Sequence, residues 1–356
     1  MRPQFESLLT RAWLRRGPLA LALLPLSWLF GLAGALRRKL YATGRLASAR
    51  LPVPVVVVGN IFVGGTGKTP LTIWLAQALR AAGYSPGVIS RGYGASHAAP
   101  RLVTVDASPQ EVGDEPLLIA AHAGCPVMVG RDRAATGRAL LAARPEVDLI
   151  LADDGLQHYA LQRNVEIVLC DSRGNGNGWL LPAGPLREPA SRRRDFTVVN
   201  ANGPMPAMPA PAFRMQLDGT VAERLADRSQ TRPLAAFGQA AGDAGNASAP
   251  VTGEQRPARL LAAAGIGNPG RFFATLRAQG LTFAELPLPD HFDFTDNPFD
   301  NVAADIILIT EKDAVKCRQL DALKNDPRLW VVPVTARIEG ALLDQLLEKL
   351  RGRSPA

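Results

Sequence analysis

The hydrophobic positions of this chain alternate between short continuous runs and longer stretches with helical spacing. The clearest run is Val55–Val58, four valines that lead through a glycine-rich turn to Leu71, Leu75 and Leu79, which recur at helical spacing. Gly83 follows this stretch and predicts the end of the helix. The pattern predicts a buried strand, a tight turn and an amphipathic helix.

Comparable apolar runs recur further along the chain and alternate with helical stretches. They occupy residues 87–90, 126–130, 147–152, 165–170, 196–200 and 305–309. This alternation predicts an α/β fold with a mostly parallel sheet flanked by helices, and ligands bind such sheets at the carboxyl ends of the strands.

The turn after the first strand has the chemistry of a phosphate-binding loop. Backbone N–H groups of its glycines can surround phosphate oxygens, Lys68 can reach the terminal phosphates of a nucleotide, and the hydroxyl of Thr69 can ligate Mg²⁺. The strict pattern would place a glycine at position 62, so the match covers the Gly-Lys-Thr half, and the alternative is a tight turn with a chance Lys-Thr pair. The predicted nucleotide-binding residues are Phe62, Val63, Gly64, Gly65, Thr66, Gly67, Lys68 and Thr69.

Acidic residues follow two other predicted elements. Asp153 and Asp154 end an apolar strand, where one carboxylate can hold Mg²⁺, although an Asp-Asp-Gly sequence is also typical of a solvated turn. Asp114 precedes an apolar helix that it could merely cap, and His291 could be an ordinary loop histidine.

The composition limits the class of partner. The chain has 356 residues, 47% hydrophobic and 20% charged, with a formal net charge of +8, which favours an anionic partner such as a nucleotide, a nucleic acid or an acidic membrane. No block of interleaved aromatic and basic residues predicts a nucleic-acid interface. The three cysteines lack the spacing of a zinc site or a disulfide framework, which favours a reducing cytoplasm.

Residues 17–36 contain no charged side chain and are flanked by arginines on both sides. About twenty helical residues match the thickness of a bilayer core, so we expect this segment to meet a membrane. Pro18 and Pro25 would kink a straight span, and shallow insertion on anionic lipid is therefore as well supported as crossing. A signal peptide and a buried core helix are the alternatives.

Eight sequence blocks between Val53 and Leu350 resemble, in one order, the tetraacyldisaccharide 4′-kinases of lipid A biosynthesis. The blocks are GNIFVGGTGKTP, ISRGYG, GDEP, DDGLQH, LPAGPLRE, GIGNPGRFF, DHFDF and TEKDAVK. The resemblance implies transfer of the γ-phosphate of ATP, with Mg²⁺, to the 4′-hydroxyl of tetraacyldisaccharide 1-phosphate, giving lipid IVA. It also implies a lipid substrate and a location at the cytoplasmic face of the inner membrane, on anionic lipids, and no obligate protein partner is evident.

The family's functional residues match positions in this chain. The resemblance implies that Lys68 contacts phosphate and that Thr69, Asp153 and Asp154 form the metal site. It implies that Asp114, paired with His291, is the base that accepts the proton of the sugar hydroxyl. Four further residues match blocks near the substrate, although arginines in α/β proteins are also often surface ion-pair partners. They are Arg91, Arg131, Arg187 and Glu188.

Four segments are expected along the chain. They are an N-terminal membrane-associated helical segment (1–45), a phosphate-loop kinase core (46–200), a connector with a flexible Ala, Gly, Ser and Pro-rich insertion (201–258) and a smaller α/β C-terminal lobe (259–356). Gly270 and Asn164 depart from the family pattern outside the proposed chemistry. The main alternative function is a nucleotide-dependent switch or metal-insertion protein, but the guanine-reading sequence of such GTPases is not matched.

Overall fold

The structure is a computed structural model that describes residues 13–93, 99–104, 106–209, 211–242 and 259–352. The chain divides into two compact units, Met1–Leu217 with Ala336–Ala356, and Asp218–Thr335. Residues 243–258 of the expected connector and insertion (201–258) lie outside the described residues.

The first unit contains a large sheet flanked by helices. Its strands are β1 (Val55–Gly59), β2 (Pro86–Ser90), β3 (Arg101–Leu102), β4 (Val127–Val129), β5 (Leu149–Asp153), β6 (Val165–Asp171), β7 (Phe196–Asn200), β8 (Ala212–Asp218) and β15 (Thr335–Ile338). Its helices are α1 (Pro18–Ala22), α2 (Leu24–Ala42), α3 (Lys68–Ala81), α4 (Pro109–Val112), α5 (Asp114–Ala123), α6 (Arg133–Ala143) and α11 (Ala341–Arg351).

The strand order in this sheet is β15-β8-β7-β6-β1-β5-β2-β4-β3, and β1 lies between two parallel neighbours, β5 and β6. The chain runs from β1 to β2 on one side and later places β6 on the other side. In open α/β sheets, ligands bind beyond the carboxyl ends of the strands at such a switch in direction. The ends of β1 and β5 therefore border the expected binding crevice.

Strand β1 is buried on both faces of the sheet, which explains its continuous apolar sequence. Val56 and Val58 pack in one hydrophobic cluster with Leu75 of α3. Val55 and Val57 pack in a second cluster on the opposite face. The predicted fold class, an α/β fold with a mostly parallel sheet, is confirmed.

The second unit contains a smaller sheet with the strand order β10-β9-β14-β13-β11-β12. Its strands are β9 (Val221–Arg224), β10 (Thr231–Pro233), β11 (Leu260–Ala264), β12 (Ala284–Pro287), β13 (Ile306–Thr310) and β14 (Leu329–Val332). Its helices are α7 (Ala235–Gly242), α8 (Pro269–Ala278), α9 (Glu311–Cys317) and α10 (Asp321–Lys324). The four strands β12, β11, β13 and β14 run parallel.

The units differ from the expected segments at two places. Residues 201–258 were expected to form a connector, but they contribute β8 to the first sheet and β9 and β10 to the second. Helix α11 belongs to the first unit, where Leu342, Leu346 and Leu350 join the same hydrophobic cluster as α3. This helix was predicted to belong to the C-terminal lobe because it follows that lobe in the sequence, but its apolar face packs on the large sheet.

The N-terminal apolar segment forms two helices that separate at Leu23, with Pro18 and Pro25 in their first turns. In the part of the chain that the structure describes, no helix has both the length and the apolar character needed to cross a membrane, so a spanning N-terminal helix is not supported. The alternative of a buried core helix is wrong, because Trp28 and Leu32 are 69% and 68% exposed.

Candidate active site

The phosphate loop connects the end of β1 to the first residue of α3. Gly64 and Gly67 have φ angles of 104° and 103°, which side chains other than glycine rarely adopt. A Cβ atom at Gly67 would lie 2.7 Å from Nδ2 of Asn200. The loop therefore requires glycine at position 67 for both its conformation and its packing.

Two asparagines that were not predicted hold this loop in place. Asn60 donates from Nδ2 to the carbonyl of Gly64 (3.2 Å) and accepts from Nζ of Lys68 through Oδ1 (3.3 Å). Asn200, at the end of β7, donates to the carbonyl of Thr66 (2.9 Å). These bonds position the backbone of the loop and the amino group of Lys68 before any phosphate binds.

Phe62 explains the departure from the strict phosphate-loop pattern. Its side chain is 3% exposed, its backbone bridges to Leu186, and the guanidinium of Arg173 lies 4.2 Å from the centre of its ring. The next residue, Val63, donates its backbone N–H to the carbonyl of Pro185 (3.0 Å). At position 62 the chain packs against the 185–186 segment, where an aromatic side chain fills space that a glycine would leave open.

The two predicted carboxylates lie at the end of β5 in different environments. Asp153 is 1% exposed and accepts from the hydroxyls of Thr72 (3.0 Å) and Ser90 (3.3 Å). Burial, followed by the negative charges of Glu115 and Asp154, raises the pKa of Asp153 to about 6.

Asp154 has a φ angle of 48°, and its Oδ1 lies 3.7 Å from both Nζ of Lys68 and Nη1 of Arg187. Burial acts to raise the pKa of Asp154, but the charges of Lys68 and Arg187 outweigh it and hold this pKa below its ordinary value. Among the described residues, Oδ1 of Asp154 has no hydrogen-bond partner. An ionised oxygen that has ion-pair partners but no hydrogen-bond partner thus lies at the end of the strand.

This donor set can hold Mg²⁺ together with nucleotide phosphates. No cluster of three or more Asp, Glu, His or Cys side chains with metal-site geometry occurs in the described ranges. Mg²⁺ is usually held by one or two carboxylates together with substrate phosphates and water. Thr69, 9% exposed at the start of α3, would supply the hydroxyl that such sites use, and Asp153 and Asp154 would supply the carboxylates.

Two further side chains at this site were not predicted, Arg133 and His158. Arg133 is 3% exposed and donates to the carbonyls of Asp153 (3.1 Å) and Gly130 (2.9 Å). Burial, together with the charges of Arg133 and Arg91, lowers the pKa of His158 to about 4, so this histidine is neutral at pH 7.

The sequence carries a local signal for both Arg133 and His158. Asp132 caps α6 by accepting from the backbone N–H groups of Ala134 (2.9 Å) and Ala135 (3.0 Å), which places Arg133 first in the helix. The predicted Arg131 is exposed. His158 belongs to the block DDGLQH, in which only Asp153 and Asp154 were predicted to be functional.

The predicted substrate residues Arg187 and Glu188 point to different surroundings. Arg187 donates its backbone N–H to the carbonyl of Ile61 (2.7 Å) and directs its guanidinium to Asp154. Glu188 is 3% exposed and accepts from Gln157 (3.1 Å), from the hydroxyl of Tyr159 (2.6 Å) and from Arg192. Arg91 is exposed at the end of β2. Substrate contact by these residues stays a prediction.

The predicted base and its partner lie in different units. Asp114, 4% exposed, is the first residue of α5 and accepts from the backbone N–H of Glu115 (2.9 Å), while Gly113 occupies the N-cap position, so Asp114 is not the cap of this helix. In the second unit, His291 has a φ angle of 60°, and its Nε2 lies 3.4 Å from Nζ of Lys312 and 3.9 Å from Asp290. The pairing of Asp114 with His291 stays a prediction.

Comparisons with known proteins identify the family of this chain. Residues 19–351 match the family model LpxK, Tetraacyldisaccharide-1-P 4′-kinase. Two curated relatives named Tetraacyldisaccharide 4′-kinase, from Janthinobacterium sp. (strain Marseille) and Herminiimonas arsenicoxydans, are 64% and 63% identical and match 100% of this chain and 99% and 98% of their own lengths.

The fold is similar to that of a crystal structure of LpxK from Aquifex aeolicus in complex with ATP. The TM-score is 0.73 and the sequence identity 28%, over 95% of this chain and 100% of that one. The resemblance stated from the sequence blocks is thereby confirmed. The chain belongs to the tetraacyldisaccharide-1-P 4′-kinase family.

Proposed function

We propose that this chain is the ATP-dependent kinase that phosphorylates the 4′-hydroxyl of tetraacyldisaccharide 1-phosphate, giving lipid IVA in lipid A biosynthesis. The observation that carries the proposal is the approach of Lys68 and Arg187 to Asp154 beside a preformed phosphate loop, in a chain of this family. The alternative of a nucleotide-dependent switch or metal-insertion protein is not favoured by that family membership.

The phosphate loop is the proposed ATP site. Backbone N–H groups at the start of α3 face the loop and carry the partial positive charge of a helix N-terminus. Lys68 Nζ lies between Asn60 (3.3 Å) and Asp154 (3.7 Å), so its charge is directed before substrate binds. A pre-directed cation stabilises charge that develops on the transferred phosphoryl group.

Thr69, Asp153 and Asp154 are proposed to hold Mg²⁺ with the nucleotide. When bound, Mg²⁺ neutralises phosphate charge and orients the phosphates for in-line transfer. The pKa of Asp153 is raised because burial and neighbouring negative charges disfavour its ionised form. A cation bound nearby would stabilise that ionised form. Asp154, already ionised by its two cationic neighbours, is available for the same role.

Asp114 is proposed as the base for the sugar hydroxyl, and its pairing with His291 stays a prediction. In a loose phosphoryl-transfer transition state, positioning and charge neutralisation contribute more than base strength. We therefore expect Asp114→Asn to slow transfer without abolishing ATP binding, while Lys68→Ala affects both.

The arginines are proposed to bind the anionic groups of both substrates. Arg187 and Arg133 lie at the carboxylates, and Arg91 and Arg131 are exposed near the ends of β2 and β4, where a guanidinium could grip the 1-phosphate in bidentate fashion. Glu188 belongs to the same family block, and its own contact with the substrate stays a prediction.

Helix α2 is proposed to rest on the membrane surface. Trp28, Leu29 and Leu32 are 69%, 63% and 68% exposed and lie on adjacent turns, and Arg37, Arg38 and Lys39 follow them. Apolar side chains inserted at the headgroup level, with basic residues on anionic lipid, bind a helix to the bilayer surface without crossing it. The proposed location is the cytoplasmic face of the inner membrane.

The test is transfer of labelled γ-phosphate to tetraacyldisaccharide 1-phosphate in detergent micelles with Mg²⁺. Parallel reactions contain GTP in place of ATP, or an acceptor that lacks the 4′-hydroxyl. We expect a labelled lipid with ATP and none with the 4′-deoxy acceptor. No labelled lipid from folded, ATP-binding protein would refute the proposal.

A further inference from the structure

A partly buried polar cluster includes Glu188, the sequence neighbour of the arginine that approaches Asp154. It consists of Gln157, Tyr159, Glu166, Glu188 and Arg192, and is called the Glu188 cluster below. Glu188 accepts from Gln157 (3.1 Å) and Tyr159 (2.6 Å), and its side chain is 4% exposed. Apart from Glu188, none of these side chains has a role in the proposed chemistry.

Arg192 joins three separate chain segments in this cluster. Its Nη1 donates to Glu188 and to the hydroxyl of Tyr159 (2.7 Å), and its Nη2 donates to Glu166 of β6 (2.6 Å). The side chain is 7% exposed. Burial opposes the charged form, but the carboxylates of Glu166 and Glu188 outweigh it and raise the pKa of Arg192, so the guanidinium is always charged.

Such a buried cluster is weak evidence for stability. Desolvation of the charges offsets much of their mutual attraction, so a buried ion pair adds little over apolar packing. A forked guanidinium with several partners does, however, fix their relative geometry. The Glu188 cluster is therefore better explained by the geometry that it imposes on its members than by a contribution to the free energy of folding.

The position in question is that of Arg187, the residue joined to Glu188 by a peptide bond. Arg187 donates its backbone N–H to Ile61 (2.7 Å) and places Nη1 3.7 Å from Oδ1 of Asp154. Glu188, the next residue along the chain, is held by Arg192. Displacement of Glu188 would turn this backbone segment and move the Arg187 guanidinium away from the carboxylate.

We infer that Arg192 is a positioning residue for phosphoryl transfer, acting through Glu188 and Arg187 on the anionic group bound beside Asp154. The inference rests on the proposed kinase function. Arg38 does not substitute for it, since its Nη1 is 4.0 Å from Glu188 and its side chain is 31% exposed.

Arg163 provides a matched control. It also donates to Glu166 (2.9 Å), and its guanidinium lies 5.2 Å from the ring of Tyr159, compared with 5.6 Å for that of Arg192. Its side chain is 11% exposed. Its hydrogen bonds go to Glu166 and to carbonyls of the 156–161 loop, not to Glu188.

The experiment compares kcat and KM for lipid transfer in Arg192→Gln, Arg163→Gln and the wild type, with thermal unfolding and ATP binding measured alongside. For Arg192→Gln we expect kcat to fall about 10- to 100-fold, by analogy with residues that orient the ligands of metal sites, with little change in the KM for ATP. For Arg163→Gln we expect a change within about threefold at a similar loss of thermal stability.

A double-mutant cycle with Arg187→Gln separates positioning from a structural role. If Arg192 acts through Arg187, its substitution has little further effect once Arg187 is gone. Fully additive losses, or equal losses in Arg192→Gln and Arg163→Gln, would overturn the inference. Should Arg192→Gln fail to fold, Arg192→Lys keeps the charge but not the fork, and wild-type kcat in that variant would overturn it as well.

The wild-type reaction distinguishes failure of this inference from failure of the proposed function. Transfer by the wild type with an unaffected Arg192→Gln variant removes this inference alone. Absence of lipid transfer by the wild type removes the proposed function and this inference with it.

Discussion

Replacement of Asp153 by asparagine should abolish the proposed metal site and yet stabilise the fold. The pKa of this buried carboxyl rises from 3.8 to about 6, a change that corresponds to about 3 kcal/mol. A raised carboxyl pKa means that the folded state holds the proton more tightly than the unfolded chain. The stability that the protonated Asp153 contributes is therefore lost as pH rises from about 4 through about 6, and it stays lost at higher pH.

An asparagine at this position does not ionise and can still accept from Thr72 and donate to the hydroxyl of Ser90. We therefore expect Asp153→Asn to unfold at a higher denaturant concentration than the wild type near pH 7, by up to about 3 kcal/mol, with the difference shrinking toward pH 4.

The assay is urea unfolding followed by circular dichroism between about pH 4 and pH 8, without nucleotide or metal. Asp148→Asn, at an exposed position just before the same strand, is the control for replacement of a carboxylate by an amide. A stability difference that stays constant across this pH range would refute the reasoning, as would an asparagine variant less stable than the wild type near pH 8.

Two further substitutions test the phosphate loop and the membrane face. Gly67→Ala should lose ATP binding because its Cβ would lie 2.7 Å from Asn200, whereas Gly83→Ala, with a φ of 93° and no atom within 4 Å, should keep it. Equal ATP affinity in the two variants, by isothermal titration, would contradict this account of the loop. Trp28→Ser with Leu32→Ser should reduce sedimentation with anionic vesicles while ATP affinity is unchanged, and undiminished sedimentation would mean that α2 is not the docking face.

The sequence predicted the elements that carry a repeating local signal. The continuous apolar run Val55–Val58 and the helix that follows are found close to their expected positions, because a strand buried on both faces needs apolar residues throughout. The later strands are also confirmed, within one or two residues at each end. The run at 305–309, however, belongs to the second sheet, since an apolar run does not specify which strands it pairs with.

Features of the site that depend on long-range contacts could not be predicted in this way. Asn200 lies 133 residues after Gly67 in the sequence, and only the parallel sheet brings its amide to the phosphate loop. Arg133 and Arg131 have the same local chemistry, and the helix cap at Asp132 decides which of them is buried. Glu188 matched a family block, but its enclosure by Tyr159 and Arg192 is a property of the packed structure.

The most direct test of the central claim is single-turnover transfer of labelled γ-phosphate to tetraacyldisaccharide 1-phosphate by Lys68→Ala, compared with the wild type. Lys68 approaches Asp154 within 3.7 Å, and we place it against the phosphates in the transition state. We predict that the variant stays folded and loses transfer by at least about 100-fold. Transfer at a near wild-type rate would contradict the assignment of the reaction to this phosphate loop.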